Sequence, residues 1–355
     1  MKLKGLILSG GSGTRLRPIT HTSAKQLIPV ANKPVLFYGI EALKNAGIID
    51  IGIIVGDTAA EVEAAVGNGS NWGVSITYIP QEAPLGLAHA VLTAADFLGD
   101  SSFVMYLGDN LLRDGIDGLV KDFVENGPDA LILLQEVPNP EAYGVAEVNE
   151  GQVVRLAEKP KEPKSNLALV GIYMFTSAIH ECAREIEPSA RGELEITDAI
   201  QSLIDKGKRV EPHVVTGWWK DTGKLEDMLE ANRLILDALE GDIRGTVEDS
   251  EIHGRVIVDD DAVVKNCTIR GPVVIGKRTT VHDSYIGPYT SIYYDVEVAN
   301  SEIEHSIILE QSKVLNLRAR MEGSLIGKNV QIERLDHKPK AYRFMVGDNS
   351  WIAIV

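Results

Sequence analysis

The sequence predicts an α/β domain built on a Rossmann-like, mostly parallel sheet, followed by a parallel β-helix of hexapeptide repeats, and three observations carry that prediction. Up to about residue 240, short aliphatic runs alternate with amphipathic segments, the pattern of βα units around a sheet. A glycine-rich segment, Leu8-Ser9-Gly10-Gly11-Ser12-Gly13, follows the first aliphatic run directly. Beyond about residue 245 the apolar period changes to six, as it does when each turn of a prism sends one aliphatic side chain into a shared core. The expected domains are 1–240 and 241–355, in line with a prior of about 150 residues per domain for a chain of 355.

Taken in order, residues 5–8, 51–55, 74–79, 103–107 and 130–134 are aliphatic and read as strands. Residues 34–46 read as a helix with Pro34 in its first turn and Gly47 as its terminator. Residues 87–97 and 116–125 read as two more. Asp221-Thr222-Gly223 precedes a closing helix, 224–240, whose Leu225, Met228, Leu229, Leu234, Ile235, Ala238 and Leu239 keep helical spacing. Residues 241–245, with glycine at each end, read as a linker. In the tail, Ile257, Val263, Ile269, Ile275 and Val281 are six apart. One slip leads to Ile286, Ile292 and Val298, and further slips to Ile303, Leu309, Leu315, Met321, Ile326 and Ile332.

Hydrophobic residues make up 44% and charged residues 24% of the chain, the mix of a folded globular protein. The formal charge of −16 disfavours a general grip on nucleic acid, which needs a basic face. Cys182 and Cys267 lie far apart with no zinc-ligand spacing, so reduced thiols are expected. The apolar run Leu6-Ile7-Leu8 is too short for a signal peptide, and no stretch approaches the ~20 apolar residues of a membrane helix. A cytoplasmic protein without membrane partners is the expectation.

Four groups of residues have the types that phosphate and sugar chemistry needs. In the loop after the first strand, Gly10, Gly11 and Gly13 let backbone N–H groups approach phosphate oxygens, and Thr14, Arg15 and Lys25 follow. Leu16 stands where a dinucleotide fingerprint needs Gly or Ala, and no GK[ST] follows, so a triphosphate with a leaving pyrophosphate suits the loop better. Asp109, in Leu107-Gly108-Asp109-Asn110, ends a strand where ligands gather in open parallel sheets. With Asp221 it would make a two-carboxylate Mg²⁺ site, although each Asp equally suits a capping role. Glu158-Lys159, with Tyr143-Gly144 ahead and Val170 behind, offers a carboxylate and an ammonium for a sugar phosphate. By itself the pair is indistinguishable from a surface ion pair. Gln81 and Gly86 offer side-chain and backbone hydrogen bonds to a base edge.

Together and in this order, Gly10 to Leu16, Lys25-Gln26-Leu27-Ile28-Pro29-Val30, Gln81 to Ala88, Leu107-Gly108-Asp109-Asn110, Glu158-Lys159-Pro160, Arg191-Gly192-Glu193-Leu194-Glu195-Ile196-Thr197-Asp198 and Asp221-Thr222-Gly223 resemble the glucose-1-phosphate thymidylyltransferases of the sugar nucleotidyltransferase family. The resemblance spans about residues 3–240, and the tail resembles the left-handed β-helix of long-form members. It implies transfer of a thymidylyl group from dTTP to glucose 1-phosphate, feeding deoxysugar synthesis. Arg15 and Lys25 would bind the triphosphate beside Leu8, Gly10, Gly11, Gly13 and Thr14. Gln81 and Gly86 would contact thymine, and Asp109 and Asp221 would hold Mg²⁺. Lys159 would take the sugar phosphate and Glu158 with Gly144 the hydroxyls, with Tyr143, Val170 and Arg191 in the same subsite. A homo-oligomer is expected, a trimer or a multiple of one by likeness to β-helix relatives or a tetramer by likeness to the short form. The alternatives are an acyltransferase using His253, His282 or His305 on the β-helix, a UTP-preferring enzyme, and a non-catalytic nucleotide-sugar sensor.

Overall fold

The computed structural model describes residues 3–11, 13–21, 24–335, 342 and 344–354. In chain order its first part forms β1 (Lys4–Leu8), β2 (Pro29–Val30), β3 (Lys33–Pro34), α1 (Val35–Asn45), β4 (Asp50–Val55), α2 (Ala59–Val66), β5 (Ser75–Pro80), α3 (Leu87–Thr93), α4 (Ala95–Leu98), β6 (Phe103–Leu107), β7 (Asn110–Leu112), α5 (Asp117–Asn126), β8 (Ala130–Glu136), β9 (Gly144–Asn149), β10 (Gln152–Glu158), β11 (Leu167–Phe175), α6 (Ile179–Glu185), α7 (Ile196–Asp205), β12 (Val210–Val214), β13 (Trp219–Asp221) and α8 (Leu225–Leu236). Two compact units result. One comprises Met1–Ser12, Ser23–Leu27 and Val35–Asp221, the other Gly13–Thr22, Ile28–Pro34 and Thr222–Val355.

The first unit is an α/β sheet in the order β10-β9-β11-β6-β1-β4-β5, with β8 on β11 and β12 on β8. Strands β6, β1, β4 and β5 are mutually parallel, as βα units require. The sheet turns mixed at β11, which runs antiparallel to both β6 and β8. The detour from β8 to β11 explains this, because β9 and β10 form a hairpin whose two-residue turn, Glu150 (φ 49°) and Gly151 (φ 77°), reverses the chain. Alternation along β1 sends Leu6 and Leu8 into one apolar cluster and Ile7 into the other, so both faces of the sheet are covered. The helix expected over 87–97 is broken at Ala94 into α3 and α4, and Pro34 lies in β3, just ahead of α1.

In the second unit, stacked parallel strands make three sheets of six, six and five strands, a left-handed β-helix. Val247, Val264, Val281, Val298, Val314 and Ile332 lie in register up one face. Four of the expected inward positions are off by one. The core takes Val258, Val264, Ile308 and Val314 where the period pointed to Ile257, Val263, Leu309 and Leu315. Apolar residues adjoin one another on these strands, and a period of six does not choose between neighbours. The corners require left-handed backbone, and Asp249, Asn266, Asp283, Asn300 and Asn316 supply it with φ between 45° and 60°.

The compact units part at residue 221, whereas the sequence suggested 240. Buried Asn232 of α8 accepts from Ala31 N–H (2.8 Å) and Ser291 Oγ (2.7 Å) and donates to Tyr289 O (3.0 Å). Asn32 Nδ2 donates to Ile292 O at 2.6 Å. Helix α8 and the β2-β3 hairpin therefore belong with the β-helix. No helix among the described residues is long and apolar enough to cross a membrane.

Candidate active site

At the carboxyl end of β1, Ser9 N–H donates to Ile54 O (2.9 Å), which leads the chain across the top of β4. Gly10 and Gly11 follow with little room above them. A Cβ on Gly10 would lie 3.3 Å from Gln81 Oε1, and one on Gly11 would lie 3.2 Å from Lys25 Cε. The glycine loop is thus flanked by an amide on one side and an ammonium on the other. Buried Gln26 lies next to Lys25, with its Oε1 unpartnered among the described residues and its Nε2 4.0 Å from the same Gly11 position. An orphan amide oxygen in such a place suits a ligand donor.

Strand β6 ends beside β1, and Gly108 N–H donates to Leu8 O at 2.9 Å. Asp109 follows and pairs with Lys25 through Oδ2, both side chains being about 13–14% exposed. Its Oδ1 accepts from Asn110 Nδ2 at 2.9 Å. Burial pushes this carboxyl up, but the Lys25 ammonium and the hydrogen bonds from Lys25 and Asn110 outweigh it, and Asp109 is held below the usual carboxylate range. Strand β13 pairs antiparallel with β7 and sets half-buried Asp221 opposite Asn110, the neighbour of Asp109. Trp219 Nε1 donates to Asn110 Oδ1 at 2.5 Å, which ties the two strands by side chains as well. Among the described residues no group of three or more His, Cys, Asp and Glu is gathered for a metal, so a cation here would rest on the two aspartates and on ligand oxygens. Hard carboxylate donors of this kind fit Mg²⁺.

The hairpin β9-β10 places Gly144 directly opposite Glu158. A Cβ on Gly144 would meet Glu158 Oε2 at 3.1 Å and Thr197 Cγ2 at 2.8 Å, so only glycine leaves the carboxylate approachable. Lys159 takes a left-handed backbone (φ 41°) and donates its N–H to Tyr143 O at 3.0 Å. Such strain in a non-glycine residue often marks a functional position. Lys159 Nζ lies 3.6 Å from Glu158 Oε1, and Arg191 Nη2 lies 3.3 Å from the same oxygen. Burial and the nearby Glu195 charge raise Glu158 above the usual range against the pull of Lys159 and Arg191. Tyr143 packs edge-on against Trp219 at 5.4 Å. Val170 is fully buried, and beside it Gly171 lies against Asn110 Oδ1, 2.9 Å from a Cβ placed there.

Gln81 N–H continues the β4-β5 ladder to Val55 O (2.9 Å), and its Nε2 meets His89 Nδ1 at 2.9 Å. Gly86 (φ 108°) passes under Leu194, whose carbonyl oxygen would be 2.3 Å from a Cβ. Leu8, Gly10, Gly11, Lys25, Gln81, Gly86, Asp109, Tyr143, Gly144, Glu158, Lys159, Val170, Arg191 and Asp221 all belong to the first compact unit. Gly13, Thr14 and Arg15 belong to the second. There Gly13 is left-handed (φ 63°), its carbonyl accepts from Thr20 Oγ1 at 2.7 Å, and exposed Arg15 sits in the single turn Thr14–Leu16. Ser12 lies outside the described residues.

The residue types alone did not single out Gln26, Asn110 or Glu195. Each stands next to a residue that was singled out or within its motif, and its burial is the signal that only the structure supplies. On the β-helix, exposed His253 and half-buried His282 meet neighbouring acids (Glu251 at 3.4 Å, Asp283 at 3.0 Å), and His305 packs on Tyr289 at 6.1 Å. Each is engaged locally, and nothing in those contacts favours the acyltransferase alternative.

Residues 4–238 match the family model described as "Nucleotidyl transferase". The chain is 57% identical over 355 residues to a glucose-1-phosphate thymidylyltransferase of Streptomyces antibioticus, with 99% of each chain covered. It is 54% identical to a second of that name from Streptomyces griseus, with 98% of each covered. Among solved structures, a putative glucose-1-phosphate thymidylyltransferase from Bacillus anthracis in complex with a sucrose matches with a TM-score of 0.63 at 39% identity, covering 68% of this chain and 98% of that one. With its glycine loop, Asp109 one strand position from Asp221, and the Glu158–Lys159 pair on an α/β sheet followed by a β-helix, the chain belongs to the nucleotidyl transferase family, among the glucose-1-phosphate thymidylyltransferases.

Proposed function

We infer that this chain transfers a thymidylyl group from dTTP to α-D-glucose 1-phosphate, giving dTDP-glucose and pyrophosphate for deoxysugar synthesis. Full-length likeness to enzymes of that name supports the activity. The observation that carries the chemistry is Lys25 paired with Asp109 at the rim of the sheet, beside the glycine loop and one strand position from Asp221.

Mg²⁺ bound by Asp109 and Asp221 would supply charge neutralisation at the phosphates. Lys25 binds triphosphate oxygens and stabilises the departing pyrophosphate, and the Gly10-Gly11 backbone admits those oxygens closely. Gln81 presents its amide to thymine, and the backbone of the 81–86 loop completes the contact. Lys159 and Arg191 hold the sugar phosphate, while Glu158 and the open face at Gly144 take sugar hydroxyls. A phosphate oxygen of glucose 1-phosphate then attacks the α-phosphorus in line. The bond to the β-phosphate breaks, its electron pair leaves with pyrophosphate, and no covalent enzyme intermediate forms. Alignment and charge neutralisation supply the rate, as they do in phosphoryl transfer generally.

A homo-oligomer, a trimer or a multiple of one, is the assembly we favour, and the cytoplasm, which holds the nucleotide pool, is its place. Light scattering of the purified chain reads the assembly directly. The activity is tested by pyrophosphate release from dTTP and glucose 1-phosphate, with UTP, CTP and ATP in parallel. Asp109→Asn and Lys159→Ala are each expected to cut kcat/KM at least about 100-fold, a loss of about 3 kcal/mol of transition-state stabilisation, with the melting temperature preserved. Near-normal rates in both variants would overturn the assignment.

A further inference from the structure

Arg191 and its surroundings hold an arrangement that the proposed reaction has not yet used. Its guanidinium donates from Nε to Glu195 Oε1 (3.1 Å) and from Nη2 to Glu195 Oε1 and Oε2 (2.9 and 2.8 Å). The approaches of Nη2 to Glu158 Oε1 and Glu193 Oε2 are longer, both 3.3 Å. Nη1 makes no hydrogen bond among the described residues. The Glu195 side chain is 4% exposed and that of Arg191 38%, so the carboxylate is the fixed member of the pair. Ser189 Oγ donates to Glu195 Oε1 at 2.7 Å and accepts from Arg191 N–H at 3.2 Å. The loop is tied down on its other side as well. Leu194 N–H donates to Leu85 O (2.7 Å) and Leu194 O accepts from Ala88 N–H (3.1 Å), an anchor to the loop that carries Gly86.

We propose that Glu195 is a positioning residue for the sugar-phosphate half of the site: it grips the Nε/Nη2 edge of Arg191, turns Nη1 outward to the phosphate, and keeps the guanidinium from closing on Glu158. The proposal rests on the assignment of Arg191 and Glu158 to that half of the site. Its logic is competition. A guanidinium freed from Glu195 finds Glu158 and Glu193 as the next carboxylates, and a bidentate, charge-assisted pair with Glu158 would remove a phosphate ligand and a hydroxyl ligand together. Glu195 also acts on Glu158 through space, since its charge is among the causes that raise the Glu158 carboxyl.

The test is initial-rate kinetics of the full-length enzyme, reading pyrophosphate release with dTTP and glucose 1-phosphate varied in turn. Glu195→Gln is expected to raise the KM for glucose 1-phosphate about tenfold or more while the KM for dTTP stays within about twofold, and Glu195→Asp to recover part of the loss. The acid limb of the pH profile of that sugar-phosphate KM is expected to move to lower pH in Glu195→Gln, because an influence raising Glu158 has been removed. Ser189→Ala, a milder change, is expected to shift the same KM in the same direction and stands in if Glu195→Gln does not fold. In the cycle with Arg191→Ala, the double variant is expected to be no worse than Arg191→Ala alone, since Glu195 acts through Arg191. A sugar-phosphate KM unchanged in Glu195→Gln, a rise shared equally by both substrates, or additive losses in the cycle would each overturn the proposal. If Arg191→Ala itself leaves the sugar-phosphate KM unchanged, the assignment of Arg191 fails first, and the proposal with it.

Discussion

At the scale of single residues, burial changes what a side chain does more than its type suggests. Asp109, largely covered, and His180, buried, show opposite consequences. Asp109 has Lys25 and Asn110 to hold its charge, and its carboxyl sits below the usual range. His180, on α6, is 7% exposed and stacks on Phe103 at 5.9 Å, and neither ring nitrogen has a partner among the described residues. Burial first, and then the Arg184 charge, lower its pKa, with Asp100 pulling weakly the other way. The folded state therefore holds His180 neutral while the unfolded chain protonates near pH 6.5. The unfolded state binds more protons below that pH, so stability is present above it and is lost as pH falls through it. His180→Leu, which cannot be protonated, is expected to show a smaller drop in melting temperature between pH 7.5 and 5.5 than the parent chain. Differential scanning calorimetry at the two pH values checks this, and an equal drop in both proteins would remove His180 from the account.

At the scale of elements, the loop at Gly86 shows how two distant segments are locked. Its φ of 108° is a conformation that residues with a Cβ rarely adopt, and the atom that a Cβ would strike, Leu194 O at 2.3 Å, is backbone held by the Ala88 hydrogen bond. Gly86→Ala is expected to cost about 2 kcal/mol or more in urea unfolding and to raise the KM for both substrates, because the segment ahead of α7 that carries Leu194 and Glu195 is displaced with the loop. This differs from Glu195→Gln, where one substrate is affected. Strands β1, β4, β5, β6 and β8 were readable because each is a short aliphatic run with turn residues around it. Helix α7 and strands β9, β10, β12 and β13 were not placed, because they are short or mix polar with apolar residues and take their identity from pairing across the sheet. Asp109, Lys25 and Asp221 were visible as types in motifs, whereas Glu195 was one acid among several near Arg191 until its burial set it apart. In the tail, the period of six was plain, but at 256–258 and 307–309 three apolar residues run together, and the choice of the inward one is made by the stacking of coils.

At the scale of the whole molecule, the chain crosses between its compact units several times, and packing groups α8 with the second unit, whereas the closing helix and the linker at 241–245 pointed to a division near residue 240. Residues 28–34 and helix α8 belong with the β-helix through Asn232, 1% exposed, whose amide serves Ala31, Ser291 and Tyr289 at once. The β-helix face beneath is itself buried there, with Ser291 at 0% and Ile307 at 1% exposure. Ending the chain at residue 240 would strip α8 and the hairpin of those partners and leave their apolar and polar groups facing water. Asn232→Leu keeps the volume but orphans a buried N–H, a hydroxyl and a carbonyl, at a cost of about 2–4 kcal/mol. The expected outcome is a graded one. Asn232→Leu lowers the melting temperature by several degrees with activity retained at 25 °C, and the chain ending at residue 240 is insoluble or melts far lower and loses activity with it. Should the shortened chain prove monodisperse, fully active and as heat-resistant as the parent, the β-helix would be an appendage, and the contacts of Asn232 would have no part in supporting the enzyme.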